Sequence, residues 1–367
     1  MSKEHIRGDK RDMNITFLIG NGFDLGLGLK TRYTDFYHKY CRNYLGDNSN
    51  ITSFRMSLSR WKTKRGTEVI DWSDFESAFG LHAAEIDNKK EYIERFEHFV
   101  SQFNEYLEKE ETRVSYDNVS GISQMMHNAV TTYFHVRPAD REEILRRYNQ
   151  DASERRYNFI SFNYTKCLDN CVSIFGESLK SNSNRKIGEL VHVHGYVEEN
   201  MIVGVNDVSQ IANPDFASDR EIISEIVKPI ENEEARTNYS RQAKSIIDKS
   251  AIICIYGMSL GETDSLWWNY IAEWLLKDKK NALVILKYEE GYNKRFPFSQ
   301  LKHVNHLVDR FLSFVNLSEE ARETVRNRIY IGINHNVFEL DLCKKSGQST
   351  HLGNAGVTIN YSSTTKR

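Results

Sequence analysis

The sequence predicts an α/β fold in which a mostly parallel, Rossmann-like sheet carries a large helical insertion or cap. Short apolar segments rich in β-branched residues recur along the chain and alternate with helical segments, a pattern typical of a parallel sheet covered on both faces. A glycine-rich turn follows the first of these segments. The chain has 367 residues, which is enough for two cores or for one core with a large insertion.

Seven short segments are predicted to be strands because they are apolar and are bounded by turn residues or by helical patterns. They are residues 14–19, 157–162, 189–193, 201–205, 251–256, 282–288 and 328–331. Helical spacing of apolar residues predicts helices between them, at residues 165–175, 214–249, 264–276, 298–314 and 318–327.

The domain boundaries follow from these patterns. Residues 1–13 are expected to form a polar N-terminal tail, and residues 14–32 and 149–342 the α/β core. Residues 33–148 are rich in charged and aromatic residues at helical spacing, which predicts the insertion or cap. Residues 343–367 turn to Ser, Thr, Asn and Lys, which predicts a flexible polar C-terminal tail.

Composition argues against several classes of protein. The formal net charge is −2, so there is no bulk electrostatic signature of nucleic-acid binding. The N-terminus lacks an apolar signal region, and the longest apolar runs are far shorter than a membrane span. The five cysteines are scattered without a CxxC pair, so neither a disulfide framework nor a zinc site is expected. We expect a cytoplasmic protein.

The glycine-rich turn lies directly after the first predicted strand. Its residues are Gly20, Asn21, Gly22, Phe23 and Asp24. Backbone N–H groups at such a strand-to-helix turn are able to hold a pyrophosphate, although the third glycine of the dinucleotide-binding fingerprint is replaced by Leu25. The alternative is an ordinary turn that ends a strand.

Two further motifs lie at predicted strand ends, the edge where open α/β sheets bind ligands. Asn163 is suited to hold a ribose hydroxyl or a water molecule, and Asn163 or Thr165 is equally suited to cap the next helix.

His192, His194 and Gly195 form the second of these motifs, at the end of the strand predicted at residues 189–193. Strand alternation predicts both histidines on one face, where a histidine is a candidate general base near neutral pH. A structural histidine pair and a metal site with recruited carboxylates are the alternatives.

The fourth motif closes the strand predicted at residues 251–256. Gly257, Ser259 and Leu260 form a turn of small and apolar residues, and Asp264 precedes the next helix. Small residues at such a turn leave room for an adenosine ribose or a phosphate. The alternative is a helix N-cap whose acidic residues complement the helix dipole.

Taken together, these motifs resemble the AbiH family of bacterial abortive-infection proteins, over about residues 14 to 290. The residues that carry the resemblance are Phe17–Leu25, Tyr33, Asp35, Phe36, Trp72–Glu76, Phe162–Thr165, His192, His194, Gly195, Gly257, Ser259, Leu260 and Asp264. AbiH proteins in turn resemble the sirtuin-like NAD-binding fold. The absence of paired CxxC motifs departs from protein deacetylases and makes peptide deacylation an unfavoured activity.

The resemblance implies a role for each motif. Residues 20–24 become the loop on the pyrophosphate and nicotinamide side, and Gly257 with Ser259 becomes the turn on the adenosine side. Asn163 lies beside the nicotinamide ribose, and His194 is the base. Asp24 departs from the small hydroxyl residue of sirtuins.

The function predicted from these roles is an anti-phage NAD⁺ glycohydrolase, with NAD as substrate, Asn163 and His194 as catalytic residues and no bound metal. Two alternatives stay open: a nucleotide-sensing scaffold without turnover, and a metal-dependent nuclease or nucleotide hydrolase that uses His192 and His194. A homo-oligomer or a defence-partner subunit is an expected partner, and a membrane is not. The sequence leaves the role of Trp72, Asp74 and Glu76 undecided.

Overall fold

A six-stranded, entirely parallel sheet forms the centre of the protein, as a computed structural model of the chain shows. The structure describes residues 13–43, 76, 79–131, 133, 135–149, 154–181, 184–261, 264–289, 292–293, 295–335 and 337–343. Of the predicted tails at residues 1–13 and 343–367, only Met13, which begins the first strand, and Cys343, which bridges to Val114, lie within this part. The residues Trp72 and Asp74 lie outside it. The predicted α/β class with a Rossmann-like parallel sheet is confirmed.

The strand order is β3-β2-β1-β4-β5-β6. The strands are β1 (Met13–Ile19), β2 (Arg155–Ser161), β3 (Arg185–His192), β4 (Ile252–Tyr256), β5 (Ala282–Lys287) and β6 (Ile329–Ile333). The chain returns from β3 past β1 to begin β4 on its other side. The order therefore reverses between β1 and β4, and this topological switch point is where sheets of this order bind ligands.

Twelve α-helices lie in the described part of the chain. They are α1 (Gly22–Gly26), α2 (Tyr33–Asn43), α3 (Lys89–Glu111), α4 (Val119–Ala129), α5 (Pro138–Asn149), α6 (Cys167–Leu179), α7 (Arg220–Ile226), α8 (Lys228–Glu234), α9 (Tyr239–Asp248), α10 (Ser265–Lys277), α11 (Pro297–Ser313) and α12 (Glu319–Arg326). Within the described ranges, none of the helices combines the length and the apolar character that a membrane span requires.

One predicted strand, at residues 201–205, is wrong. The segment is irregular and pairs only through an isolated bridge between Val205 and Val227. Val203 and Val205 are buried against helices outside the sheet. A short apolar run satisfies its hydrophobic side chains equally well in a strand or in a packed loop, so the pattern alone does not separate the two.

Two apolar layers cover the sheet. Phe17, Phe159 and Val284 belong to a cluster that α4, α5 and α6 complete, through residues such as Met126 and Phe175. Successive strand residues point to opposite faces, so the neighbouring positions belong to the second cluster, which α9, α10 and α11 cover. The last part of the 33–148 segment, from Val114 onward, therefore packs directly on the sheet.

A third cluster lies beyond the sheet and forms a cap. Its first part comes from α2, α3 and the residues around Phe79, with Phe36 and Phe103 in a tilted ring contact and Phe79 and Phe96 in an edge contact. Its second part comes from the loop and helices between β3 and α9, including Val205 and Phe216. Two separate segments of the chain therefore build the cap over the carboxyl ends of the strands.

Candidate functional site

A cleft of about 1070 Å³ opens at the carboxyl ends of the strands, between the sheet and the cap. This volume slightly exceeds the roughly 300–1,000 Å³ typical of small-molecule and cofactor pockets. Its wall combines Gly20 after β1, Asn163 after β2, His194 after β3 and Gly257 after β4. The cleft therefore spans the switch point between β1 and β4, as the topology requires of a ligand site.

The glycines of this wall allow two backbones to touch. Gly20 N donates to Tyr256 O over 2.9 Å, and Gly22 N donates to Gly257 O over 2.9 Å. A Cβ on Gly257 would lie 2.7 Å from the Cα of Gly22, and Gly257 has a φ of +69°, which favours glycine. The first and fourth predicted motifs are thus joined directly, backbone against backbone.

The same contacts occupy amide groups that the sequence suggested for a pyrophosphate. The N–H groups of Gly20 and Gly22 donate to the β4 side, and Phe23 N donates to Gly20 O over 3.0 Å. The side chain of Asn21 is also engaged, because its Nδ2 donates to Thr31 O over 2.9 Å and its Oδ1 accepts from the Thr31 hydroxyl. These backbone N–H groups and the Asn21 side chain therefore stabilise the conformation of the loop.

Asp24 is the charged group of the glycine-rich turn, and it is buried within a hydrogen-bond network. Its Oδ1 accepts from Asn163 Nδ2 over 3.1 Å, and its Oδ2 accepts from the Thr165 hydroxyl over 2.8 Å. Its side chain lines the base of the cleft with only 2 % of its surface exposed. Asp24 thereby links the first motif to the second.

Burial raises the pKa of Asp24 to about 7, from an ordinary value of 3.8. The Glu111 carboxylate raises it further, whereas the hydrogen bonds from Thr165 and Asn163 and the nearby His192 lower it. A carboxyl group with this pKa changes its charge close to neutral pH, which is a property typical of functional sites.

Asn163 is held from its backbone as well as from its side chain. Its backbone N donates to Ser161 Oγ over 3.2 Å, and its backbone O accepts from His192 Nδ1 over 3.0 Å. One atom stands out: Asn163 Oδ1 is buried and has no hydrogen-bond partner among the described residues. Since Nδ2 faces Asp24 and the residue lines the cleft, a ligand in the cleft is the candidate partner of this buried acceptor.

The two histidines have different surroundings. β3 ends at His192, so strand alternation does not extend to His194, and the expectation of a shared face is wrong. His192 is buried behind Asn163, with its Nε2 2.8 Å from Asp169 Oδ2. His194 lines the cleft and packs its ring against Phe162 with a centroid separation of 5.6 Å.

The environment of His194 keeps its imidazole neutral. Burial places the pKa of His194 well below its ordinary value of 6.5, and the positive charge of Lys228 lowers it further. A neutral imidazole at pH 7 retains a lone pair that can accept a proton. His194 therefore has the protonation state that a base requires.

A buried ion pair forms another part of the wall. Lys228 Nζ lies 2.8 Å from Glu76 Oε1, with side-chain exposures of only 5 % and 8 %. Both residues line the cleft. Glu76, whose position the sequence left undecided, is therefore part of this wall. The sequence analysis did not identify Lys228 as a site residue. The signal that could have pointed to it is Pro229, because proline favours the first turn of a helix and so marks a new helix start within the helical stretch predicted at 214–249.

The remaining predicted site residues divide between the wall and its support. Thr165, Ser259 and Asp264 line the cleft. Phe23 is fully buried against Phe338, and the Leu260 side chain is buried in the second sheet cluster. Gly195, with a φ of +65°, makes its close approach to the backbone of Asn200. Phe23, His192, Gly195 and Leu260 are not among the residues that line the cleft.

The segment after β6 closes one side of the cleft. Leu340 N donates to Gly26 O over 3.0 Å, and Leu342 N donates to Leu27 O over 3.0 Å. The cleft wall also includes Arg32 and Lys287. Lys287 Nζ donates to Met258 O over 3.1 Å, which holds its charge beside the turn that follows β4.

The fold and the cleft define a Rossmann-like α/β protein with a candidate site at the strand switch point. The model of the family described as bacteriophage abortive infection AbiH matches residues 16–286. The chain belongs to the AbiH family, and the resemblance noted from the motifs is confirmed to that extent. Comparison with the curated proteins gives no match. The family connects the chain with abortive infection.

Proposed function

We propose that the protein is an NAD⁺ glycohydrolase of anti-phage defence, which cleaves NAD to nicotinamide and ADP-ribose. The observation that carries the proposal is the pairing, within one cleft at the switch point, of an amide oxygen that has no partner in the described ranges and a neutral imidazole. The strand order is the one that binds dinucleotides at this place in other folds, although a fold alone does not define an activity.

Asn163 and His194 divide the chemistry between them. Cleavage of the N-glycosidic bond develops positive charge on the ribosyl carbon, and the partial negative charge of Asn163 Oδ1 stabilises that charge or orients a ribose hydroxyl. His194 accepts a proton from the attacking water as the C–O bond forms and the bond to nicotinamide breaks. Its neutral form at pH 7 makes this role available.

The phosphates of the substrate meet Arg32 and Lys287 in this proposal. The N–H groups of Gly20, Gly22 and Phe23 donate to backbone carbonyls, so they are not available to a pyrophosphate. Basic side chains bind phosphate oxygens with charge-assisted hydrogen bonds. Lys228 forms the buried ion pair with Glu76, and Arg32 and Lys287 are further basic side chains of the cleft wall, to which we assign the phosphates.

The test is NAD consumption and nicotinamide release by the purified full-length protein. Wild type is compared with His194→Ala and Asn163→Ala, with and without chelator and with and without lysate of phage-infected cells. His127→Ala is the matched control, because His127 is exposed on α4. We expect chelator-resistant cleavage that falls about 100-fold or more in both cleft variants and persists in the control.

Other outcomes identify other functions. Saturable binding of NAD without any product under all of these conditions contradicts a glycohydrolase and supports a nucleotide sensor. Loss of activity in chelator supports the metal-dependent hydrolase. Among the described residues, no group of three or more His, Cys, Asp or Glu side chains is arranged to hold a metal ion.

A further inference from the structure

The Asn163 amide has a defined orientation, and Asp24 sets it. An ionised carboxylate only accepts hydrogen bonds, so the group that faces Asp24 Oδ1 must be the Nδ2 of Asn163. The Oδ1 of Asn163 is thereby left on the other side of the amide, without a hydrogen-bond partner in the described part of the chain. The charge of Asp24 therefore decides which atom Asn163 offers to a ligand.

We propose that Asp24 is a positioning residue of the reaction: its carboxylate holds the Asn163 amide with Oδ1 available to the substrate, and protonation of Asp24 releases that orientation. The inference rests on the proposed function, in which Asn163 Oδ1 acts on the ribosyl group. It gives Asp24 a role through Asn163, in place of the phosphate-side contact that the family resemblance implied.

The chemistry of a carboxylic acid explains the release. A protonated Asp24 carries one O–H donor, so it can donate to an amide oxygen as well as accept from an amide nitrogen. Both orientations of the Asn163 amide then form a hydrogen bond. The hydrogen bond that remains is also weaker, because a carboxylate accepts more strongly than a neutral acid. The neutral form therefore permits the reversed amide, in which Nδ2 takes the place of Oδ1.

Charged and titratable groups reach Asp24 from several elements. Glu111 on α3 raises the pKa of Asp24, and His192 on β3 lowers it. On α6, Cys167 and Cys171 face the same carboxyl group, and their own thiol pKa values are raised by burial and by Asp24. The two thiols are neutral at pH 7, so they add no change of charge to that of Asp24 there.

The backbone of Asn163 stays fixed during this change. The carbonyl O of Asn163 accepts from His192 Nδ1, so that ring nitrogen carries a proton, and His192 Nε2 contacts the Asp169 carboxylate. The Thr165 hydroxyl holds the second oxygen of Asp24. Since these hydrogen bonds hold both the backbone of Asn163 and the Asp24 carboxyl group, the motion left to Asn163 is rotation of its side-chain amide.

The first test is the pH dependence of kcat and KM for NAD in wild type and Asp24→Asn. An amide at position 24 keeps the shape and still accepts from Asn163, but it has no charge and does not titrate. We expect wild-type kcat to fall as the pH drops from 8 to 6. In D24N we expect kcat to be about tenfold lower at pH 8, with little change in KM and no dependence on pH in this range.

The matched control is Asp309→Asn, because the Asp309 side chain is 60 % exposed on α11 and pairs with Arg326 away from the cleft. D309N is expected to keep the wild-type pH profile. A D24N enzyme that retains the acid limb of the wild-type profile overturns the proposal, since a merely structural effect lowers activity without removing that limb.

A second measurement needs no turnover, so it separates this proposal from the proposed function. Asparagine-selective ¹⁵N labelling gives a side-chain amide signal for Asn163, which is assigned by its loss in Asn163→Gln. We expect that signal to titrate near neutral pH in wild type and to be constant in D24N. A signal that does not move in wild type overturns the positioning role. Titration without NAD cleavage contradicts the glycohydrolase alone.

Discussion

Asn163 Nδ2 donates to Asp24 Oδ1 over 3.1 Å, across 139 positions of sequence. The sheet register explains why these two side chains meet. β1 and β2 are adjacent and parallel, and Ile19 at the end of β1 pairs with Ser161 at the end of β2. Asp24 and Asn163 each follow a strand end by a few residues, so the two loops emerge side by side. The contact converts a strand register into a polar site.

The buried Asp24 carboxyl has a cost in stability whose sign follows from its pKa. The folded-state pKa is about 7 and the ordinary value is 3.8, so between these pH values the unfolded chain has lost this proton while the folded chain keeps it. The contribution of Asp24 to folding therefore becomes less favourable as the pH rises from about 4 to 7, by an amount on the order of a few kcal/mol.

We predict that Asp24→Asn removes this pH dependence. The free energy of unfolding is measured by urea denaturation. The difference between D24N and wild type should shift in favour of D24N as the pH rises from 4.5 to 8. The comparison at two pH values cancels any effect of the substitution that does not depend on pH. The free energy of unfolding of D309N should depend on pH as that of wild type does. If D24N also shows the wild-type pH dependence, the raised pKa of Asp24 is contradicted.

A second prediction concerns the ion pair between Glu76 and Lys228. Lys228→Met removes the cation that lies 2.8 Å from Glu76 and leaves a carboxylate in a buried place with less compensation. We expect a loss of roughly 3 kcal/mol in the free energy of unfolding. The double variant E76Q/K228M carries neither charge, so it should recover a large part of that loss in the same denaturation measurement. Equal losses in the single and double variants would show that the pair is not coupled.

The sequence was sufficient for the elements of the sheet and insufficient for their arrangement. Six predicted strand segments correspond to β1–β6, because buried parallel strands are short, continuous apolar runs. The segment predicted as one helix at 214–249 contains three helices, interrupted where Val227 bridges to Val205 and where Asn238 has a φ of +60°. Such interruptions depend on long-range contacts, which local periodicity does not report.

The candidate site shows the same division. Residues that immediately follow strands, such as Asn163 and His194, are found at the cleft because strand ends share one edge of the sheet. Lys228 lies outside any motif and reaches the cleft only because the cap folds back onto the sheet. The side chain of His192, at the end of β3, donates to the backbone carbonyl of Asn163, which follows β2. No rule of sequence spacing predicts such a contact between two strands.

The phosphate role proposed for Lys287 gives a third prediction. Lys287→Ala removes one positive charge from the wall while leaving Asn163 and His194 in place. We expect KM for NAD to rise about tenfold, as the loss of one charge-assisted contact implies, with kcat changed much less. Lys302→Ala is the control, since Lys302 is exposed on α11. A fall in kcat at constant KM would instead assign Lys287 to the chemical step.

The last prediction concerns the contact between the glycine-rich turn and the turn after β4. A Cβ on Gly22 would overlap the Cα of Gly257, and alanine at position 257 would add a strained φ of +69° to its own close approach. We therefore expect Gly22→Ala and Gly257→Ala each to lower the free energy of unfolding by roughly 1–3 kcal/mol and to abolish nucleotide binding.

Gly176→Ala is the matched control for these variants. Gly176 lies within α6, and among the described residues a Cβ there would meet Ile187 alone, at an ordinary 3.4 Å. Because alanine favours a helix interior by about 1 kcal/mol over glycine, G176A should be at least as stable as wild type and should bind normally. The variants are compared by thermal unfolding and by nucleotide titration. If G22A and G257A behave like G176A in both, the two turns can separate without loss of the site. The backbone contact between the turns then does not determine the shape of the cleft.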